Sequence, residues 1–207
     1  MTRKPLVIVL HGPAGVGKDS IIKELRARTD IQRATSSTTR APRKGEVDGV
    51  DYIFLTRPEF ERRVADGEFA EWAHVYKDLK GLKYSEVAGP IARGEDFIIR
   101  TDVQGARAWR RMLEGAIFVF LMAADRAELR RRLIERDTET DDSLESRLAE
   151  IDEEIADMPN NDYVVYNHQD HMDDAVAEML TIIERERVNP NRPAPRLRDE
   201  ALPRKPS

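Results

Sequence analysis

The stretch Gly12-Pro13-Ala14-Gly15-Val16-Gly17-Lys18 constrains this chain more than any other, because of what flanks it. Before it, Leu6-Val7-Ile8-Val9-Leu10 has the length and β-branching of a buried parallel strand; after it, Ile21, Ile22 and Leu25 keep helical spacing. A strand that passes through a glycine loop into a helix aims successive backbone N–H groups at one phosphate chain. The helix N-terminus adds partial positive charge, and a lysine in the place of Lys18 reaches the outer phosphates. The sequence thus predicts a nucleotide-phosphate loop. Asp19 stands where a Ser or Thr hydroxyl ordinarily meets magnesium, so the expectation is that Ser20 or the Asp19 carboxylate substitutes, or that Mg2+ is held through water.

Three further core strands are predicted at Phe97 to Thr101, Ile117 to Leu121 and Tyr163 to Tyr166, each separated by helical sequence. Leu129 and Leu133 mark one helix, Leu144, Leu148, Ile151 and Ile155 a second, and Val176, Met179, Leu180 and Ile183 a third. This alternation predicts an α/β fold with a parallel sheet flanked by helices. Residues 33–89 break the pattern with short β-like pieces and one helix near Pro58 to Asp66, as expected of a lobe inserted into the sheet. The expected division is a core of residues 5–32 and 90–188, the lobe at 33–89, and a helical lid at 126–158. From Asn189 to Ser207, prolines alternate with charges, which predicts a disordered tail.

With 207 residues, 40% of them hydrophobic, the chain can bury one core and carry a small lobe. No run approaches the roughly 18 apolar residues of a membrane span, and the first strand begins almost at once; a soluble, cytoplasmic protein without a membrane partner is expected. The absence of cysteine removes disulfides, zinc-thiolate sites and thiol nucleophiles, leaving charge, hydroxyls and metal-bound phosphate for any catalysis. A net charge of −5 argues against nucleic acid as the main partner. His168-Gln169-Asp170-His171 lacks a third metal ligand and reads as a turn, His11 as a group packed at the strand end, and Trp72 and Trp109 as packing groups.

A second signal lies in the lobe, at Ser36-Ser37-Thr38-Thr39-Arg40-Ala41-Pro42-Arg43 and onward to Tyr52. Arginine's planar fork matches a phosphate dianion, and Ser and Tyr hydroxyls complete its shell without adding charge. Beside a phosphate loop this pattern suits a phosphorylated acceptor.

Together with Gly45-Glu46-Val47-Asp48-Gly49-Val50-Asp51-Tyr52, Gly67-Glu68-Phe69-Ala70-Glu71-Trp72-Ala73, Asp102-Val103-Gln104-Gly105-Ala106 and Tyr163-Val164-Val165, these strings resemble the guanylate kinase family over residues 5–186. The resemblance implies a P-loop core with a nucleoside-monophosphate lobe and a lid, and phosphate transfer from ATP to GMP with Mg2+. It carries Ser36, Arg40, Arg43 and Tyr52 onto the GMP phosphate and Glu71 onto guanine N1 and N2. Asp102 falls near the base and the magnesium, Arg136 and Arg147 are lid arginines for the ATP phosphates, Arg132 assists them, and Asn167 lies near adenine. Phosphoryl transfer needs cations on both sides of two anionic substrates, and this set supplies them without a general base.

Several positions depart from the family's pattern. Lys80 stands for a tyrosine on the acceptor phosphate, Leu82 for a Ser or Thr donor to guanine O6, and Arg100 for a common acidic residue two before Asp102. Two other readings therefore stand beside GMP kinase: a kinase for another phosphorylated acceptor such as ribose 1,5-bisphosphate, and a non-catalytic guanylate-kinase-like binding module. Oligomeric state is open.

Overall fold

A computed structural model describes residues 4–75, 77–135 and 151–198. In chain order the elements run β1 (Val7–His11), α1 (Lys18–Arg28), β2 (Gln32–Arg33), β3 (Ser37–Thr38), β4 (Ile53–Phe54), α2 (Arg57–Ala65), β5 (Phe69–Val75), β6 (Asp78–Lys83), α3 (Ser85–Arg93), β7 (Phe97–Arg100), α4 (Val103–Met112), β8 (Leu113–Glu114), β9 (Ile117–Ala123), α5 (Arg126–Glu135) and β10 (Tyr163–Asn167). A C-terminal helix, Met172–Val188, and β11 (Arg196–Leu197) follow.

Side-chain alternation in β1 explains the layering. Leu6, Ile8 and Leu10 enter one apolar cluster with Ile21, Leu25, Val176 and Ile183, while Val7 and Val9 enter another with Ile99, Ala106 and Trp109. A strand apolar on both faces must be covered on both, and the main sheet accordingly has the order β10-β9-β1-β7-β2, parallel throughout, with helices on either side. Each fully buried Ile or Leu contributes about 1.5–3 kcal/mol to this arrangement. The loops leaving β1 and β7 emerge side by side at the carboxyl edge, where open α/β sheets form their ligand crevice.

The inserted lobe has its own sheet, ordered β4-β3-β6-β5. Its small core is Phe60, Phe69 and Leu79, the two rings stacked 4.3 Å apart. Thr56 caps α2 by accepting from Glu59 N, and Pro58 sits in the first turn, where a missing N–H costs nothing. Gln32 and Arg33 pair with β7, so the main sheet extends past residue 32 before the lobe begins.

The expectation of a disordered tail from Asn189 onward is corrected for residues 189–198. Arg192, buried, donates to the carbonyls of Lys4, Pro5 and Glu186, and Arg196–Leu197 pair antiparallel with Leu113–Glu114. One guanidinium that satisfies three backbone carbonyls does the anchoring that composition alone would assign to apolar residues. Among the described residues no helix is long and apolar enough to cross a membrane.

His11 is packed as expected, edge-on to Phe120, with Nε2 2.6 Å from Asn161 Oδ1. The Asn161 amide nitrogen donates to the carbonyls of Asp157 and Met158, so its oxygen accepts and the His11 hydrogen sits on Nε2. Burial lowers the His11 pKa to about 4. The unfolded chain therefore binds a proton near pH 6.5 that the native state refuses until about pH 4. Stability should fall as pH drops through that window, by about 2 kcal/mol between pH 7 and 5. Urea unfolding at the two pH values checks this, and His11→Gln should flatten the difference.

Candidate active site at the carboxyl edge of the sheet

Gly12, Gly15 and Gly17 carry φ values of 137°, 86° and 94°, and the loop curls between β1 and α1 as predicted. At Gly12 no side chain is possible, since a Cβ would lie 2.1 Å from Leu121 O. Lys18 is folded back, its Nζ donating to Gly12 O at 2.5 Å and Pro13 O at 2.8 Å. Burial first, and the Arg100 charge second, lower its pKa to about 8. Asn167, which the family resemblance placed near adenine, uses its amide to hold the loop by donating to Val16 O at 2.8 Å. Arg132 in turn donates to Asn167 O at 2.8 Å and pairs with Glu128, so here it braces the loop. Arg136 and Arg147 lie outside the described residues.

Across the crevice, cations gather around Tyr52. The guanidinium carbons of Arg33 and Arg40 each lie 5.5 Å from its ring centre and Lys80 Nζ lies 5.7 Å away, while Arg100 Nη1 donates to its hydroxyl at 3.0 Å. Glu46 organises the lobe's basic loop: it accepts from Arg40 Nη2 at 2.8 Å and from the Arg43 backbone N at 2.7 Å. The Arg40 partner holds Glu46 below the usual carboxylate pKa. The Arg43 side chain is exposed and lines a cleft of about 650 Å³ with Asp19, Arg33, Tyr52 and Arg100. Neither Arg33 nor Glu46 was singled out from sequence; Glu46 lies within a motif string, whereas nothing local marks Arg33.

Next to this ring lies a cavity of about 210 Å³ lined by Ser36, Glu71, Trp72, Lys80, Thr101, Asp102 and Gly105, among others. Thr101 Oγ1 donates to Glu71 Oε1 at 3.3 Å, and the Trp109 indole N–H faces the carboxylate without reaching hydrogen-bond geometry. Burial pushes the Glu71 pKa up to about 7 and, with Arg100 adding to it, brings Lys80 down to about 7. Gly105 is what leaves room for Glu71, because a Cβ there would meet Glu71 Oε2 at 2.5 Å and Thr101 Oγ1 at 1.9 Å. Asp102 lines the same cavity, its Oδ1 capping α4 through Gly105 N at 2.8 Å.

One expectation changes here. Trp109 is buried packing, but Trp72 is 46% exposed and lines the cavity. Leu82 is buried against the apolar cluster of Ala34 and Val87, so it ties the lobe to the main body.

The two charge departures meet. Arg100 Nη2 donates to Asp19 Oδ2 at 2.8 Å, and Arg33 Nη1 lies 3.6 Å from Asp19 Oδ1. Asp19, one of the two residues the sequence offered to the metal, is paired with guanidinium groups here while its side chain stays 54% exposed. Ser20 is exposed beside Lys18. Among the described residues no group of three or more His, Asp or Glu gathers to hold a metal. This donor set fits a metal carried mainly on a nucleotide's phosphates, with Ser20 as the available hydroxyl. His168 to His171 forms a turn, with His171 N donating to His168 O.

A parallel sheet with a glycine loop at its carboxyl edge, facing a basic acceptor lobe and a small cavity with one carboxylate, defines a P-loop phosphotransferase of the nucleoside-monophosphate kinase kind. A guanylate kinase family model matches residues 2–186. The chain is 43% identical over 181 residues to guanylate kinase of Halalkalibacterium halodurans, covering 87% of this chain and 88% of that one. To guanylate kinase 2, chloroplastic/mitochondrial, of rice it is 41% identical over 187 residues, 89% of this chain and 66% of that longer protein. A crystal structure of guanylate kinase from Anaplasma phagocytophilum superposes with a TM-score of 0.71 at 27% identity, over 92% of this chain and 90% of that one. The chain belongs to the guanylate kinase family.

Proposed function

We propose that the protein transfers the γ-phosphoryl group of ATP to GMP, yielding ADP and GDP, as an enzyme of purine nucleotide metabolism. The observation that carries this reading is the adjacency of three sites: the Lys18 loop, the cationic ring around Tyr52, and the Glu71 cavity. The loop takes the ATP phosphates on its backbone N–H groups and on Lys18. Ser36, Arg40, Arg43, Tyr52 and Lys80 take the acceptor phosphate. Glu71, as a carboxylate, accepts from guanine N1–H and N2–H, with Thr101 orienting it. Ser20 would hold a divalent metal brought in on the ATP phosphates, and that ion would supply positive charge against the charge that builds on the leaving group. No general base is required, since the acceptor phosphate is already nucleophilic at neutral pH. A sugar bisphosphate would leave the Glu71 cavity unfilled, and a binding module has no use for Lys18.

Magnesium-dependent ADP release in the presence of GMP, dGMP, AMP, UMP or ribose 1,5-bisphosphate tests the reading. We expect GMP to be preferred over AMP and UMP by about a hundredfold or more, since each wrong base leaves buried polar groups unpaired. Preference for the sugar phosphate, or no turnover with any acceptor, would overturn it.

A further inference from the structure

Arg100 ends β7 at the position paired with Leu10 of β1, and β1 runs directly into the phosphate loop. Its fork points two ways. Nη2 holds Asp19, the residue next to Lys18 in the first turn of α1, and Nη1 holds the Tyr52 hydroxyl in the acceptor lobe. The side chain is 19% exposed, and its Nε is buried without a hydrogen-bond partner. Arg33, Arg40 and Lys80 also crowd Tyr52, so four basic side chains converge on one phenol, with Asp19 and Glu46, the partner of Arg40, offsetting part of the charge. Like charges brought this close destabilise the empty protein, and they are stabilised when an anion occupies the space between them.

We propose that Arg100 is a further catalytic residue, a fixed cation that contacts the phosphoryl group as it passes from the donor loop to the acceptor phosphate, with Asp19 as its positioning residue. The inference rests on the ATP-to-GMP reading above. In the transfer, the bond from the γ-phosphorus to the ADP oxygen breaks as a bond forms from that phosphorus to an oxygen of the GMP phosphate. No proton need move, and the negative charge spreads over the three equatorial oxygens. The prong now on the Tyr52 hydroxyl, a neutral partner, exchanges it for those oxygens, while Asp19 keeps the other prong and so fixes the plane of the fork. The donor and acceptor sites are thereby linked by one side chain that the main sheet itself supplies.

The experiment compares the parent with Arg100→Ala in steady-state turnover of ATP and GMP, in calorimetric GMP binding, and in turnover with added guanidinium ion. We expect kcat to fall about 10²–10³-fold, as for loss of one transition-state donor, with the GMP Kd changed less than about tenfold and kcat partly restored by guanidinium. Turnover close to the parent's, or a loss that guanidinium leaves untouched, would overturn the proposal. If Arg100→Ala fails to fold, Arg100→Lys carries the test, because it retains charge and stem but not the fork. A fall of about tenfold or more in kcat at an unchanged melting temperature is expected, and parent-like turnover would overturn it. A parent that turns over another acceptor and not GMP would instead sink the acceptor reading, which keeps the two failures distinct.

Discussion

Lys18→Ala will lower kcat by about a thousandfold or more, with a much smaller effect on ATP binding. The reason lies in where the ammonium now rests. It is lodged on the carbonyls of Gly12 and Pro13, inside the loop, and its pKa has fallen to about 8 through burial and the nearby Arg100 charge. Incoming phosphates replace two neutral carbonyl partners with anionic ones, so the lysine is drawn outward and its proton is held more firmly. Its greatest contribution comes when charge is most concentrated between donor and acceptor, which is a kcat effect. The loop's backbone N–H groups remain in the variant and keep most of the nucleotide affinity. Steady-state kinetics at saturating GMP, with calorimetry of a non-hydrolysable ATP analogue, separates the two quantities. A kcat within about tenfold of the parent would remove Lys18 from the chemistry.

Glu71→Gln should weaken GMP about a hundredfold, some 3 kcal/mol, while changing ATP no more than about twofold. Guanine offers two donors on one edge, and a carboxylate accepts both, whereas an amide accepts one and confronts the other with its own N–H. Burial has raised the Glu71 pKa to about 7, so the empty site is half protonated at neutral pH. GMP binds the ionised form; its apparent affinity should therefore be lost as pH falls below about 7, up to about tenfold per pH unit. Lys80, lowered to about 7, acts in the opposite sense: the acceptor phosphate wants its ammonium, so affinity also declines as pH rises above about 7. GMP affinity should be greatest near neutrality. In Glu71→Gln the acidic limb should retreat to the second ionisation of the GMP phosphate, at about pH 6, and the alkaline limb remain. Equal weakening of ATP and GMP, or an unchanged acidic limb, would remove Glu71 from base recognition.

What could be read from sequence was what depends on neighbours along the chain. The loop from Gly12 to Lys18 is specified by glycine spacing between a β-branched run and a helical pattern, all within a few residues. The acceptor block from Ser36 to Tyr52 is similarly local, and the structure brings it to the crevice. Asp19 and Arg100 could be seen only as two separate departures, because 81 residues separate them in the chain. Their pairing depends on β1 lying beside β7, a register that neither residue encodes. Leu82, legible in sequence only as the loss of a hydroxyl donor, is also an apolar joint between lobe and main body, a role that depends on contacts across the fold. Trp72 misled, since an aromatic on a strand looks like core until the strand is found at a cavity wall.

The docked segment at 189–198 has a practical use. Its strand Arg196–Leu197 lies against Leu113–Glu114, just after α4 has carried the chain from the Asp102 end of the crevice to the far end of the sheet and just before β9 begins. Arg198, whose N donates to Met112 O at 2.9 Å, therefore lies at the end of the sheet away from the nucleotide loop. Fusing a tether there and fixing the protein to a surface by it would leave the crevice facing solution, oriented for single-molecule observation.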